Sequence, residues 1–192
     1  YLTRFLVMVG FYLAQTYLQY YLADVVRSFQ ALGRTLTEAP FQAVALLGLL
    51  ISLGAALASV PAGRASDRLG RKPLIYLSGA GLGLLMPFLL LFPRYDLLLA
   101  LALVFGLFYG VYLAVDWALV ADVLKDPEAH ATDMGLWQTA IVVPQVLAGA
   151  FGRPLDLLNA QTPGLGYQVL YLLAALFFLL GAFGVAGVRR SR

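Results

Sequence analysis

Six long apolar stretches divide the chain, and short polar segments separate them. They cover approximately residues 2–26, 40–60, 74–92, 97–120, 134–151 and 167–188. A hydrocarbon core about 30 Å thick needs about 20 apolar residues as a helix, because every backbone amide must be hydrogen-bonded within the segment. The pattern therefore predicts an all-α membrane protein whose six transmembrane helices form a single domain over residues 1–192.

Residues that favour helix starts stand before several of these stretches. Thr37 and Pro40 predict the start of the second helix, Pro73 precedes the third, and Thr132 with Asp133 predicts the start of the fifth. The polar segments between them are short, so consecutive helices are expected to cross the membrane in opposite directions.

The composition agrees with this prediction. The chain is 61% hydrophobic and 12% charged, with a mean hydropathy of +0.84, whereas about a quarter of the residues of a soluble domain are charged. The chain has no cysteine, which excludes disulfides and thiolate metal sites. The first apolar stretch is long and has no small-residue cleavage site, so it is not a signal peptide. The chain opens at Tyr1 rather than at an initiator Met, and we therefore expect a trimmed chain or a piece of a longer one.

The basic residues are distributed unequally between the two sides of the predicted membrane. Of the 13 Lys and Arg residues, nine fall on the side of both termini: Arg4, Arg64, Arg68, Arg71, Lys72, Lys125, Arg189, Arg190 and Arg192. The other side has Arg27, Arg34, Arg94 and Arg153. The positive-inside rule then places both termini in the cytoplasm, and the scattered bases do not form a nucleic-acid surface.

The segment between the second and third stretches has a specific pattern. It reads Gly63-Arg64-Ala65-Ser66-Asp67-Arg68-Leu69-Gly70-Arg71-Lys72. This resembles the signature loop of the major facilitator superfamily, which reads glycine, any residue, leucine, alanine, aspartate, basic, any residue, glycine, basic, basic. Ala65 and Ser66 depart from that pattern. The positive-inside rule alone would explain the four bases of this segment, but neither Asp67 nor the two glycines seven residues apart.

Each residue of the segment has a physical role to test. We expect Gly63 to let two helices approach and Gly70 to permit a tight reversal of the chain. Arg68, Arg71 and Lys72 would hold the loop at the anionic inner leaflet. The resemblance implies that Asp67 caps a neighbouring helix start and helps to close the cytoplasmic side.

A second resemblance concerns the fourth and fifth stretches. Gly106 to Leu124 and Asp133 to Gln145 are similar to the C-terminal half of sugar and glycoside cation symporters, although Lys125 stands where those proteins commonly have proline. The resemblance implies a major facilitator half-bundle, one six-helix repeat of the usual two. Such a bundle would pair with a second copy of itself or with a missing N-terminal half.

Polar residues recur at helical spacing within three of the apolar stretches. They are Tyr12, Gln15, Thr16 and Gln19 on the first, Tyr109, Tyr112 and Asp116 on the fourth, and Gln138 and Gln145 on the fifth. Polar groups in a membrane helix are costly unless they face protein or water, so these stripes predict the lining of a solute cavity. Hydrogen bonds between helices, and an interfacial belt for the tyrosines, are the alternatives.

Asp116 is the deepest ionisable residue of these stripes. It precedes Asp122 by six residues and would lie about 9 Å inside the membrane from the cytoplasmic helix end. Two interpretations remain open: Asp116 couples transport to a proton or cation, or it pairs with a base such as Arg4 or with a helix start.

Other chemistry is absent from the sequence. There is no Gly-rich phosphate loop, no serine–histidine pair and no histidine pair at ligand spacing, and His130 is predicted to lie solvated in the acidic loop of residues 126–133. We therefore expect neither an enzyme nor a cofactor or metal site. Gly106 and Gly110 could support a close helix contact, and Pro144 a kink.

The sequence thus predicts a half-size or fragmentary secondary transporter that moves a small polar solute by alternating access, as a dimer of six-helix bundles. A sugar suits the tyrosines, the glutamines and Trp117, but so do drugs and amino acids. The alternative is a non-transporting structural half that serves as a scaffold in the membrane.

Overall fold

The computed structural model describes residues 2–123 and 130–185, and the side chains of these residues apart from 119–123 and 130–133. The helices are α1 (Leu2–Thr16), α2 (Leu18–Tyr21), α3 (Pro40–Leu69), α4 (Arg71–Leu91), α5 (Tyr95–Val123), α6 (His130–Gly149), α7 (Gly152–Gln161) and α8 (Leu165–Gly184). A π-helical segment (Leu22–Val26) follows α2, and a hairpin of β1 (Phe29–Ala31) and β2 (Arg34–Thr37) precedes α3.

Five helices in the described ranges are long and apolar enough to cross a membrane. They are Pro40–Leu69, Arg71–Leu91, Tyr95–Ala118, Met134–Gln161 and Leu165–Gly184, and Leu2–Thr16 is a shorter apolar helix. The structure is therefore a helical, multi-pass membrane protein. Of the predicted sixth stretch, 167–188, residues 186–188 lie outside the described part.

The first apolar stretch is helical over its predicted length but is interrupted. The α-helix breaks at Tyr17, resumes over Leu18–Tyr21 and then widens to the π-helical segment, which ends at Arg27 with a positive φ of 61°. Tyr17 donates a hydrogen bond to the Ala148 carbonyl (2.9 Å), and Tyr21 donates one to the Leu89 carbonyl (2.8 Å). The tyrosines that interrupt the pattern thus fasten this end of the first stretch to α6 and α4.

The β-hairpin was not predicted. Its two central residues, Leu32 and Gly33, have φ of 51° and 76° and join the paired residues Ala31 and Arg34. Two positive φ angles match the right-handed twist of hairpin strands. A leucine with a positive φ is uncommon, so the dipeptide Leu32-Gly33 is not a recognisable hairpin-turn sequence.

The prediction that residues 63–72 form a loop is largely wrong. Helix α3 continues past Pro61 and through Gly63 and Asp67 to Leu69, although proline and glycine are the least favourable residues in a helix interior. At 30 residues, or about 45 Å, α3 outruns a core of about 30 Å, so its charged last turns project beyond it. Only Gly70, with φ 83° and ψ 165°, breaks the helix, in a conformation that glycine alone adopts readily.

Other predicted boundaries also move. Helix α4 begins at Arg71 rather than after Pro73, since proline is tolerated in a first turn where its missing N–H has no helical partner. His130 begins α6 and is not in a loop. The fifth stretch continues beyond residue 151 as α7, after a break at Ala150 and Phe151, so its crossing extends to Gln161.

Helix α3 packs along α5, while α1 contacts α6 and α8, and α4 lies against α5 and α8. A Cβ on Gly106 or Gly110 would collide with the carbonyl oxygens of Ile51 and Ala55, so this glycine pair packs α5 against α3 of the same chain. In contrast, a Cβ on Gly63 would meet no described atom within 4 Å, and the predicted close approach at Gly63 is wrong.

Candidate functional site

A buried ion pair joins α1 to α5 near the predicted cytoplasmic side. The Arg4 guanidinium contacts the Asp116 carboxylate, and the two residues are only 5% and 8% exposed. Because an unpaired charge is costly in such surroundings, loss of either residue would leave the other buried without its partner. Of the two interpretations of Asp116, the structure therefore supplies the predicted base, Arg4; proton coupling is not tested by this contact.

Trp137 of α6 completes this group. The Arg4 Cζ atom lies 3.6 Å from the centroid of the Trp137 ring, a cation–π contact in a desolvated position. Trp117 packs against Trp137 with ring centroids 4.4 Å apart. We call Arg4, Asp116 and Trp137 the inner cluster; it connects α1, α5 and α6, the three elements on which the sequence analysis found polar stripes.

Phenol side chains surround the inner cluster. Tyr12, Tyr109 and Tyr112 all lie within electrostatic range of the Arg4 guanidinium. The Tyr112 hydroxyl and the Trp137 indole nitrogen are buried and have no hydrogen-bond partner among the described residues. The Arg4 Nε also has no partner among the described residues. Three buried donors without acceptors therefore mark this region as polar beyond what packing alone requires.

A cavity of about 260 Å³ lies between α1, α2, α3, α4, α5 and α8, and none of the three inner-cluster residues lines it. Two of the predicted cavity residues line it, Gln15 and Tyr109, together with Ser52. Phe11 also lines it and stacks on Tyr109, with ring centroids 4.6 Å apart. The remaining walls are apolar, so the cavity offers flat aromatic faces and a few hydrogen-bonding groups.

The other predicted cavity residues lie elsewhere. Tyr112 and Asp116 are buried at the inner cluster, and Tyr12 is half-buried beside it. The side chains that stand exposed on the outside of the bundle are Thr16, Gln19, Gln138 and Gln145. The structure thus divides the predicted stripes between an internal cavity, a buried cluster and an uncovered polar surface.

The predicted signature segment forms the reversal between α3 and α4. Arg71 donates a hydrogen bond to the Ala118 carbonyl (2.7 Å), which fastens the reversal to α5 two residues beyond Asp116. Asp67 and Arg68 are exposed on the last turn of α3, and Lys72 is half-buried at the start of α4. The expected contact of Asp67 with the helix start near Thr132 and Asp133 involves side chains outside the described ones.

The sequence pattern did not single out Trp137 or Phe11, whereas Arg4 was named both as a topology signal and as a candidate partner of Asp116. A signal was present: Arg4, Phe11 and Gln15 recur at intervals of seven and four residues and therefore share one helix face. No spacing pattern in the sequence marks Trp137, because its contact with Arg4 depends on how α6 packs against α1.

Comparison with known proteins bears on the same elements. Residues 1–191 match the family model described as Major Facilitator Superfamily. No curated protein matches the sequence significantly.

Proposed function

Because this chain belongs to the Major Facilitator Superfamily, we propose that it is one six-helix half of a secondary transporter, which moves a small polar solute across a lipid bilayer by alternating access. In this proposal the interrupted helix from Leu2 to Val26 provides the sixth crossing, beside the five long apolar helices. It is a transporter and not an enzyme.

The uncovered polar surface carries this proposal. Thr16 on α1 and Gln138 and Gln145 on α6 are exposed, and α1 packs directly against α6. Amides facing lipid would be costly, so such a surface is expected to face protein or a water-filled cleft. A second six-helix bundle over α1 and α6 would cover it and enclose a polar path between the two halves.

The character of the internal cavity favours a hydroxyl-rich solute. Tyr109 and Phe11 provide stacked rings, and Gln15 offers both a donor and an acceptor in a mostly apolar wall. Aromatic faces with a few placed polar groups are the usual composition of a small-molecule site. We propose a sugar as the first solute class to test, with amino acids and drugs as the competing classes.

The second bundle is proposed to be another copy of this chain or a separate N-terminal half. A dimer about an axis along the membrane normal would keep both bundles in the same orientation. With six crossings in each bundle all termini would then lie on one side, which the distribution of bases predicts to be the cytoplasm. In that assembly Asp67 would meet a helix start of the other bundle. Asp67→Asn is expected to loosen the closed cytoplasmic side, measured as faster labelling of a cysteine introduced in the cleft.

Coupling to protons or a cation is a separate part of the proposal and rests on Asp116. If Asp116 carries the coupled proton, Asp116→Asn abolishes uptake driven by a pH gradient but keeps solute exchange at equal pH. If the ion pair with Arg4 is structural, both activities fall together, because the buried Arg4 charge loses its partner.

Uptake into proteoliposomes, measured for a panel of sugars, amino acids and cationic drugs, tests the main proposal. We expect uptake of one class, reduced at least about fivefold by Gln15→Leu and by Gln145→Leu, since one hydrogen bond contributes roughly 1 kcal/mol. Gln161→Leu, at an exposed position at the end of α7, is the matched control and should transport normally.

The mass of the protein in detergent, measured in parallel, counts the bundles. A folded dimer that transports no solute of the panel would contradict the proposal and favour a non-transporting scaffold.

A further inference from the structure

A second polar cavity, of about 500 Å³, lies at the opposite end of the bundle from the inner cluster. Its walls come from the end of the first stretch, from α4, from the end of α7, from the turn before α8 and from α8 itself. The lining includes Tyr21, Asp24, Arg27, Asn159 and Tyr167. We call it the outer pocket.

The outer pocket contains one acid and one base that do not pair with each other. The Asp24 carboxylate accepts a hydrogen bond from the Tyr167 hydroxyl. The Arg27 Nε donates to the backbone carbonyl of Asp24 (2.7 Å) rather than to its carboxylate, and no ion pair joins the two side chains. A negative and a positive group thus face one cavity, each with hydrogen-bonding capacity to spare.

The backbone holds this arrangement in place. Asp24 lies within the π-helical segment, and Arg27 ends it in a left-handed conformation, which costs a residue other than glycine free energy. Tyr167, only 2% exposed, is fixed by its edge-on packing against Tyr21. The acid is therefore anchored by a buried partner, while the base is held at the rim.

The position of the outer pocket corresponds to the headgroup level of a bilayer. Helix α4 ends at Leu91 and α8 begins at Leu165, so the pocket lies where two membrane-crossing helices end. Leu90 lines it, and the adjacent Leu91 and Phe92 are 68% and 48% exposed. A polar cavity thus borders directly on apolar side chains that face the hydrocarbon.

We propose that the outer pocket binds the headgroup of a zwitterionic phospholipid. The ammonium group would lie against the Asp24 carboxylate, the phosphate would accept hydrogen bonds from the Arg27 guanidinium, and the acyl chains would lie along Leu91 and Phe92. This site has no lining residue in common with the proposed solute cavity, although the first stretch, α4 and α8 contribute to both. The same zwitterion could also arrive free in solution, as phosphocholine.

Equilibrium binding to the purified full chain in detergent tests the proposal with three probes: dihexanoyl phosphatidylcholine, dihexanoyl phosphatidylglycerol and phosphocholine. For the wild-type chain we expect phosphatidylcholine to bind tightest. Asp24→Asn keeps an acceptor for Tyr167 but removes the charge, and it should weaken phosphatidylcholine about tenfold while leaving phosphatidylglycerol unchanged or tighter. Arg27→Gln should weaken both lipids, because both have a phosphate.

Arg94→Gln is the matched control, an exposed base on the same side of the membrane, and it should alter neither affinity. Three results would overturn the proposal: equal affinity of the wild-type chain for the two lipids, an equal loss of both in Asp24→Asn, or wild-type binding by Arg27→Gln. Phosphocholine binding as tightly as the lipid would assign the site to a free zwitterion and refute the lipid assignment. Solute uptake is not a readout here, so failure of this test leaves the proposed function standing.

Discussion

The inner cluster and the outer pocket each contain one acid, one base and aromatic side chains, but they differ in how the two charges are compensated. Arg4 and Asp116 come from different helices, are almost fully buried, and contact each other. Asp24 and Arg27 are three residues apart and exposed, and their side chains do not form an ion pair with each other. In a medium of low dielectric a charge needs its counter-charge, whereas at the headgroup level water and lipid can satisfy it.

The comparison therefore assigns different roles to the two regions. In the inner cluster the two charges contact each other and connect α1, α5 and α6. Substitutions there should therefore mainly lower the free energy of unfolding. In the outer pocket the two charged side chains can still contact a ligand. Substitutions there should therefore mainly weaken ligand binding.

The largest expected effect is that of breaking the inner ion pair from one side. Arg4→Met leaves the Asp116 carboxylate buried without its partner, and we expect the free energy of unfolding to fall by about 3–5 kcal/mol. Denaturant unfolding in mixed micelles, followed by circular dichroism, measures this change.

A double variant separates the cost of an orphaned charge from the value of the pair. Arg4→Met combined with Asp116→Leu removes both charges, and most of the lost stability should return, because apolar side chains can replace a buried ion pair at little cost. If the double variant is as unstable as Arg4→Met alone, Arg4 stabilises the fold through contacts other than the one with Asp116.

The next effect concerns the ring beneath Arg4. Trp137→Phe keeps an aromatic face but a weaker one, and we expect a loss of about 1–2 kcal/mol of unfolding free energy. The chain has only 2 tryptophans, so the emission of the remaining Trp117 also reports on this region. Trp117→Phe, at a position 54% exposed, is the control and should cost clearly less; equal losses would mean that packing rather than the Arg4 contact matters.

Much of the fold could be predicted from the sequence because apolar length is a local property. Each of the five long apolar helices overlaps a predicted stretch, and the chain belongs to the family that the segment around Asp67 resembled. The same local argument placed Gly70, since a reversal with φ of 83° requires glycine. Helix ends were less predictable: α3 runs to Leu69 because charge, which ends a membrane crossing, does not end a helix.

The candidate site was harder to predict because it depends on contacts between helices. The spacing of Gln15 and Tyr109 placed each on a polar stripe, but not in one cavity, since this depends on how α1 and α5 are rotated. Arg4 could be named as one candidate partner of Asp116, but the sequence could not decide between pairing and a coupling site, because the two residues are 112 positions apart and meet only in the folded bundle. The pairing of Asp24 with Tyr167 had no local signal, because a π-helical segment sets its direction.

A smaller effect is expected where the end of the first stretch contacts the start of α8 at the outer pocket. Tyr167→Phe removes the hydroxyl that donates to Asp24 and should lower the free energy of unfolding by about 1 kcal/mol, the usual contribution of one hydrogen bond. Thermal unfolding in detergent would detect it. Tyr20→Phe removes a hydroxyl at a position 61% exposed and is the matched control, which should leave the free energy of unfolding unchanged. An equal loss in Tyr20→Phe would mean that the contact of Tyr167 with Asp24 does not stabilise the fold.

The smallest effect on stability, and the sharpest test of the comparison, is that of the outer base. Arg27 is exposed and makes a backbone contact three residues away, so Arg27→Gln should change the free energy of unfolding by no more than about 0.5 kcal/mol. Arg4→Gln, the same substitution at the inner cluster, should cost several times as much, because glutamine cannot neutralise the buried Asp116. Both variants can be compared in one denaturant series, with the same detergent and the same loss of charge. Similar losses at the two positions would show that Arg27 is a structural residue, and the outer charges could then no longer be regarded as available to a ligand.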